Sequence, residues 1–182
     1  MLELSNSGHS DVAYRLLLQT TYPSWGYMIE HGATTMWERW NGDQMMGDPS
    51  MNSFNHYAYG AVAEWLYRYA AGIDEDAAEP AFHRVILHPQ FDANLKEAKA
   101  TYDSAFGPIG SSWKDDGSTV TWTVAIPPNT TGLLYFPADA TTRILEDGKD
   151  ISQSAGISLV AHESGKAVYE AGSGLYSFTV QY

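Results

Sequence analysis

The stretch Thr119-Val120-Thr121-Trp122-Thr123-Val124-Ala125-Ile126 alternates strictly between apolar and small polar residues. Val120, Trp122, Val124 and Ile126 fall on one side of an extended chain; Thr119, Thr121, Thr123 and Ala125 fall on the other. Period two marks a half-buried strand, because successive side chains leave opposite faces. Just upstream, Asp115-Asp116-Gly117 is a hairpin turn signal. Residues 133–136, 143–145, 157–160, 167–169 and 176–180 read as further short strands. Asp147-Gly148, Ser164-Gly165 and Ser173-Gly174 punctuate them. Strands repeated at this spacing predict an antiparallel β-sandwich.

Upstream of Gly72-Ile73 the pattern is helical instead. Ser10-Asp11 is placed to cap a helix running to Leu18, with Val12, Leu16 and Leu17 on adjacent faces. Residues 20–26 break it, since Pro23 biases Tyr22 away from helix and Gly26 permits a turn. A short helix is expected over 33–40, capped by Thr34 or Thr35 and ended by Asn41-Gly42. A loop follows from 42 to 51. The longest helix is expected over 53–71, with Ala58, Val62, Trp65, Leu66 and Tyr69 as its apolar stripe. Gly72 suits a helix stop, and the acidic stretch 74–80 reads as a linker between a helical segment (1–73) and a sandwich (81–182).

Composition narrows the function classes. The 182 residues carry 10 Lys and Arg against 22 Asp and Glu, a formal net charge of −12. With no basic patch, that balance argues against nucleic acid and anionic membranes as partners. Cysteine is absent, which excludes disulfides, thiolate metal sites and cysteine nucleophiles. The first residues have neither a cationic start nor an apolar core, so no signal peptide is expected there, and no apolar run approaches the ~20 residues of a membrane span. Location is left open. The six histidines are scattered, none at a helical metal-ligand spacing, so no metal and no cofactor is expected. Phosphate-loop and nucleophile-elbow motifs do not occur.

Glu38 is the most pointed candidate for chemistry. It stands between Trp37 and Trp40. Aromatic rings stack on the C–H faces of sugars, and a carboxylate beside them can activate water or attack an anomeric carbon. From pattern alone, however, the residue more readily reads as a solvated acid paired with Arg39, because glutamates are mostly exposed. His56, in Asn55-His56-Tyr57, reads either as a structural residue or as a partner for a substrate hydroxyl. Glu30, Asp43 and Glu64 are further acids nearby. Trp113 and Trp122 offer a second possibility, a sugar-binding platform on the sandwich, although the alternation around Trp122 favours the core.

Three blocks of the first segment stand out together. They are residues 18–28 (LQTTYPSWGYM), 32–40 (GATTMWERW) and 53–60 (SFNHYAYG). Their order and spacing closely resemble bacterial α-L-rhamnosidases of glycoside hydrolase family 78. Ser111-Ser112-Trp113 and residues 126–131 (IPPNTT) resemble that family's C-terminal β-sandwich. The resemblance implies an α+β fragment: the last helices of an (α/α)6 barrel followed by an antiparallel β-sandwich. It implies inverting hydrolysis of terminal α-L-rhamnose, with Glu38 as general base and His56 in contact with the sugar. Nothing in 1–73 matches the family's general-acid block, and the family's chains are several times longer. The resemblance therefore implies a base without its acid and little or no activity for these residues alone. Helices separated from their barrel neighbours would expose Trp25, Trp37, Trp40 and Trp65, so self-association through the helical segment is expected. A carbohydrate-binding module and a purely structural assembling segment are the other readings.

Overall fold

In a computed structural model, the hairpin around Asp116 forms the centre of a sandwich. The structure describes residues 1–45, 47–48, 53–139, 141–163 and 165–182. Part of the loop expected over 42–51 and Ser164 of one expected turn lie outside the described residues. The chain divides into two compact units, Met1–Trp65 and Leu66–Tyr182.

The second unit packs two sheets. One orders β1 (Ile73–Glu75), β2 (Arg84–Leu87), β6 (Thr131–Pro137), β10 (Lys166–Ala171) and β9 (Ile157–Glu163). The other orders β3 (Glu97–Ser104), β4 (Gly107–Asp115), β5 (Thr119–Ile126), β11 (Gly174–Gln181), β7 (Arg143–Glu146) and β8 (Lys149–Asp150). In β5, Val120, Trp122, Val124 and Ile126 are all buried, as the alternation requires. Trp122 lies opposite Trp113 of β4 on one side and Phe178 of β11 on the other. At the β4–β5 turn, Asp116 Oδ1 accepts from the Ser118 and Thr119 amides at 2.9 and 2.8 Å. These bonds hold its carboxyl well below the usual carboxylate range.

One pairing departs from the expected antiparallel sandwich: β2 runs parallel to β6. Between them the chain crosses to the other sheet to build β3, β4 and β5, and so long a connection permits parallel pairing. Hairpin signals report only adjacent strands and carry no trace of it. The acidic stretch that reads as a linker also begins inside the sandwich. Asp74 lies in β1 opposite Ile86 and pairs with Arg68 at 2.9 Å. Arg84 binds Asp76 at 2.6 Å and Glu79 at 2.7 Å.

Trp113 and Trp122 are 1% and 0% exposed, which removes them as sugar platforms. Their indole N–H groups have internal partners. Trp113 Nε1 donates to the Ala70 carbonyl at 2.6 Å, and Trp122 Nε1 donates to Ser111 Oγ at 3.0 Å. Ser111 Oγ in turn donates to the Ala71 carbonyl at 2.6 Å. The buried indoles thus fix the segment that leads into β1. Gly72 follows at φ +79°, where an added Cβ would stand 2.0 Å from Pro89 N. Only glycine fits that approach.

The first unit follows sequence expectation less closely. α1 (Leu2–Asn6) was not anticipated by any periodicity. α2 (Ser10–Leu18) forms where expected, but His9 precedes it without a side-chain cap, and Ser10 Oγ bonds Ser5 Oγ instead. Its buried face is Ala13 and Tyr14; Leu16 stays 38% exposed. α3 (Trp25–Glu30) starts within the expected break, capped by Ser24 Oγ accepting from the Tyr27 amide at 2.9 Å. The helix expected over 33–40 is absent. Its backbone groups bond across to 53–56 instead, leaving the β-branched pair Thr34-Thr35 in extended or bent chain.

The long helix expected from 53 is also shorter and mixed. It opens as a 3₁₀ turn (Ala58–Ala61), continues as α4 (Val62–Trp65) and passes into a π-helical turn (Leu66–Ala70). Ser53 Oγ accepts from the Asn55 amide and His56 Nδ1 from the Ala58 amide, both at 3.2 Å. Such local bonds compete with helix. The changing helical period breaks up the expected stripe: Trp65 is buried, whereas Ala58 and Leu66 are exposed. The expected exposure of Trp25, Trp37, Trp40 and Trp65 is not found: Trp25 and Trp40 are half-buried and the other two are buried. Trp65 is 0% exposed, edge-on to Tyr14 with its N–H on Ser5 Oγ at 2.8 Å. Trp37 is 5% exposed.

Candidate functional site

Two short irregular segments, 36–38 and 53–56, pair through their backbones. The Glu38 amide donates to the Ser53 carbonyl at 2.8 Å, and the His56 amide donates to the Met36 carbonyl at 2.7 Å. Thr35 Oγ1 adds a bond to the Phe54 carbonyl. This pairing brings Glu38 and His56, eighteen positions apart in sequence, onto neighbouring strands of chain. Sequence reasoning singled out both residues but placed them on two helices; their common platform is not helical.

Trp37 anchors that platform from below. Its ring stands edge-on to Phe54 at 5.8 Å, and Gly42 lies so close that an added Cβ would meet the indole at 2.6 Å. Trp37 is buried, whereas Glu38 beside it is half-buried. The Glu38 carboxylate accepts at Oε2 from the Ser53 amide at 2.9 Å. It is thus a carboxylate fixed at one oxygen rather than a freely solvated one. His56 accepts at Nδ1 from the Ala58 amide, so a neutral ring carries its proton on Nε2 and can donate there. The imidazole stacks on Tyr57, itself 86% exposed.

A separate cluster of aromatic rings forms in the same unit. Trp40 stacks on Tyr59 at 3.6 Å, Trp25 meets Trp40 edge-on at 5.2 Å, and Trp25 Nε1 donates to the Tyr59 carbonyl at 3.1 Å. Together with Leu2, Val62 and Trp65 they line an apolar groove of about 340 Å³, whose lining includes neither Glu38 nor His56. Tyr27 and Asp43 form a second polar cluster that no sequence signal had joined. Tyr27 Oη donates to Asp43 Oδ2 at 3.4 Å and accepts from Gln44 Nε2 at 3.3 Å. Loss of water around the Tyr27 phenol, then the Asp43 charge, raise its pKa. Asp43 Oδ1 is buried with no partner among the described residues. Glu30 and Glu64, the other acids considered, are exposed.

Among the described residues no group of three or more His, Asp or Glu is placed to hold a metal ion. Among the described residues no helix is long and apolar enough to cross a membrane.

Comparison with known proteins divides the chain near the same place, at 70–72. Residues 1–70 match the bacterial alpha-L-rhamnosidase 6 hairpin glycosidase domain, and residues 72–150 match the bacterial alpha-L-rhamnosidase C-terminal domain. An alpha-L-rhamnosidase of Streptomyces avermitilis is 44% identical over 97% of this chain, and one of Formosa agariphila is 37% identical over 98%. These matches span only 16% and 19% of the relatives, so the chain corresponds to less than a fifth of their length. The crystal structure of the Streptomyces avermitilis enzyme complexed with L-rhamnose superposes with a TM-score of 0.82 at 42% identity, covering 98% of this chain and 17% of that one. The alpha-L-rhamnosidase from Dictyoglumus thermophilum gives 0.83 at 34% identity, covering 98% and 20%.

Proposed function

The chain belongs to the bacterial α-L-rhamnosidase family, and on that premise we propose that it supplies the general base for inverting hydrolysis of terminal α-L-rhamnosides. Glu38 is that base. It takes a proton from a water as the water oxygen bonds to the anomeric carbon; the glycosidic bond breaks on the opposite face, and a separate acid protonates the leaving oxygen. His56 donates from Nε2 to a hydroxyl of the rhamnose. In this reading the helical segment 1–73 is the closing part of a family 78 (α/α)6 barrel. The observation that carries the reading is the clamp on Glu38. The Ser53 amide holds one carboxylate oxygen and leaves the other without a partner among the described residues, on the platform that also bears His56.

Inversion requires a second carboxyl ~6.5–9.5 Å from the base. None of the acids in these 182 residues is assigned that role, so the chain by itself is expected to show no turnover. The test is a chimera in which these residues replace the matching segment of the Streptomyces avermitilis relative. It should hydrolyse an aryl α-L-rhamnoside, and Glu38→Gln should lower kcat by roughly 10²–10⁴-fold. Full activity of the Glu38→Gln chimera would overturn the assignment.

A self-associating role for the isolated chain is favoured by one observation: Leu16, Leu18 and Ile29 remain 38%, 39% and 69% exposed in the first unit. Light scattering should give a mass above one chain. A monomer at tens of micromolar would sink that reading without touching Glu38.

A further inference from the structure

The sandwich holds a cavity that the rhamnosidase reading does not use. The segment following β2, the end of β6 and the start of β10 enclose about 190 Å³. Its lining includes His88, Gln90, Phe91, Tyr135, Lys166 and Tyr182. Drug-sized ligands fill pockets of ~300–1,000 Å³, so this one has room for a single ring.

The walls are built and held. The His88 ring stacks on Tyr135 at 4.6 Å, and the Gln90 side-chain nitrogen lies 2.8 Å from His88 Nε2. The backbone beneath them is tied down. The His88 amide donates to the Gly72 carbonyl and the Gln90 amide to the Tyr69 carbonyl, each at 2.8 Å. Burial, and then the Lys166 charge, push His88 down to about 4, so the ring is neutral at physiological pH. It therefore presents a hydrogen-bonding edge and no charge.

Two polar groups here have unspent capacity. Among the described residues neither the Lys166 ammonium nor the Tyr135 hydroxyl has a hydrogen-bond or ion-pair partner, although both side chains are part-buried. Lys166 faces Glu163 across the β9–β10 ladder without closing an ion pair. Burial, then the charges of Glu163 and Asp76, raise the Tyr135 pKa, so its hydroxyl stays protonated and able to donate; Arg84, the cation felt at Tyr135, is already bound by Asp76 and Glu79. One unpaired cation, a phenol, a neutral imidazole, an amide and aromatic walls form a distinctive set. An ammonium and a hydroxyl suit a carboxylate. Rings such as Phe91 and Tyr182 suit the apolar face of a pyranose, and an amide with an imidazole suits its hydroxyls.

We propose that this cavity binds one acidic sugar residue, a uronic acid, with its carboxylate on Lys166 and Tyr135. The choice of a sugar rests on the reading of the chain as part of a carbohydrate-active enzyme; the choice of an acidic one rests on Lys166. The site would hold a uronate-bearing substrate chain on the sandwich, away from the bond being cut.

The test is an amide-resolved NMR titration of the 182-residue chain with D-galacturonate and, separately, with L-rhamnose. Galacturonate should shift amides of 88–91, 135–137 and 165–166. Lys166→Ala and Gln90→Ala should each weaken that binding roughly ten-fold or more, whereas Lys166→Arg should restore part of it. Glu38→Gln should leave it unchanged. Unperturbed spectra of the variants away from the cavity would show that the fold is intact. No galacturonate shifts at these amides, or rhamnose binding there as tightly as galacturonate, would overturn the proposal. Rhamnose shifts confined to Glu38 and His56 would leave the Glu38 reading standing in either case. Loss of those rhamnose shifts, with the galacturonate shifts retained, would instead count against Glu38 and His56 alone.

Discussion

The sandwich and the first unit solve the same problem, pairing every backbone group, by opposite means. In the sandwich, β3, β4 and β5 are consecutive and pair with their neighbours in sequence, so a local alternation is repeated across a ladder. In the first unit, residues 36–38 find partners at 53–56, and single side chains finish the short helices. Repetition makes the sandwich tolerant of losing one polar bond and intolerant of losing a core ring. The first unit should behave in the reverse way.

The largest effect should come from Trp122→Ala. The ring is 0% exposed and touches Phe136 and Phe178 as well as Phe91. Its removal should cost ~3–5 kcal/mol and, in a thermal melt followed by near-ultraviolet circular dichroism, abolish the sandwich transition. A loss under 1 kcal/mol would mean that Trp122, Phe136 and Phe178 do not form one continuous core.

Next comes pH. His88 titrates lower in the folded sandwich, at about 4, than the 6.5 of a free imidazole. The unfolded chain therefore binds the extra proton first, so the stabilising contribution is full above pH 6.5 and drains away as pH falls toward 4. Asp116 has the same sign in a lower window. Its depressed carboxyl stabilises the turn above about pH 4 and loses that contribution on further acidification. A His88→Gln variant should flatten the slope between pH 6.5 and 4 and leave the slope below it. If the wild-type melting temperature does not change over that upper window, His88 is not buried as neutral imidazole.

These effects bear on what was legible. The sandwich could be read because Val120, Trp122, Val124 and Ile126 obey a two-residue period whose cause is local geometry, and because Asp116-Gly117 and Asp147-Gly148 supply turns. Strands β3 and β4 escaped: Glu97–Ser104 is mostly exposed, and β4 alternates only through Ile109, Ser111 and Trp113, with a serine standing in an apolar place. That serine is needed to receive the Trp122 N–H, a requirement no window of sequence contains. The candidate site was legible only as residue types. Glu38 and His56 stood out through their aromatic neighbours, whereas the helix expected over 33–40 was wrong because its hydrogen-bond partners lie more than a dozen residues away. Functional side chains here sit where the local rule gives way to tertiary pairing.

Asp43→Asn is a sharper and smaller test. Asp43 Oδ2 receives the Tyr27 hydroxyl while Oδ1 is buried without a partner among the described residues. If the carboxylate serves only to hold α3 against the loop that follows Glu38, the amide should preserve stability within ~1 kcal/mol, since one neutral bond replaces one charged one. In the chimera it should then leave KM and kcat nearly unchanged. A kcat loss with KM held would instead place Asp43 among the residues that position the base.

The smallest expected effect belongs to Ser24→Ala. Ser24 is 1% exposed, and its hydroxyl caps α3 through the Tyr27 amide. Losing the cap should cost about 1 kcal/mol, because one helix-end N–H is left without its acceptor. A helix of six residues has little else of its own to hold its first turn. The loss should therefore appear in the first unit's transition and not in that of the sandwich. Equal shifts in both transitions would mean that the two units unfold as one body, and the contrast between repeated ladders and single bonds would then describe how the regions are built but not how they come apart.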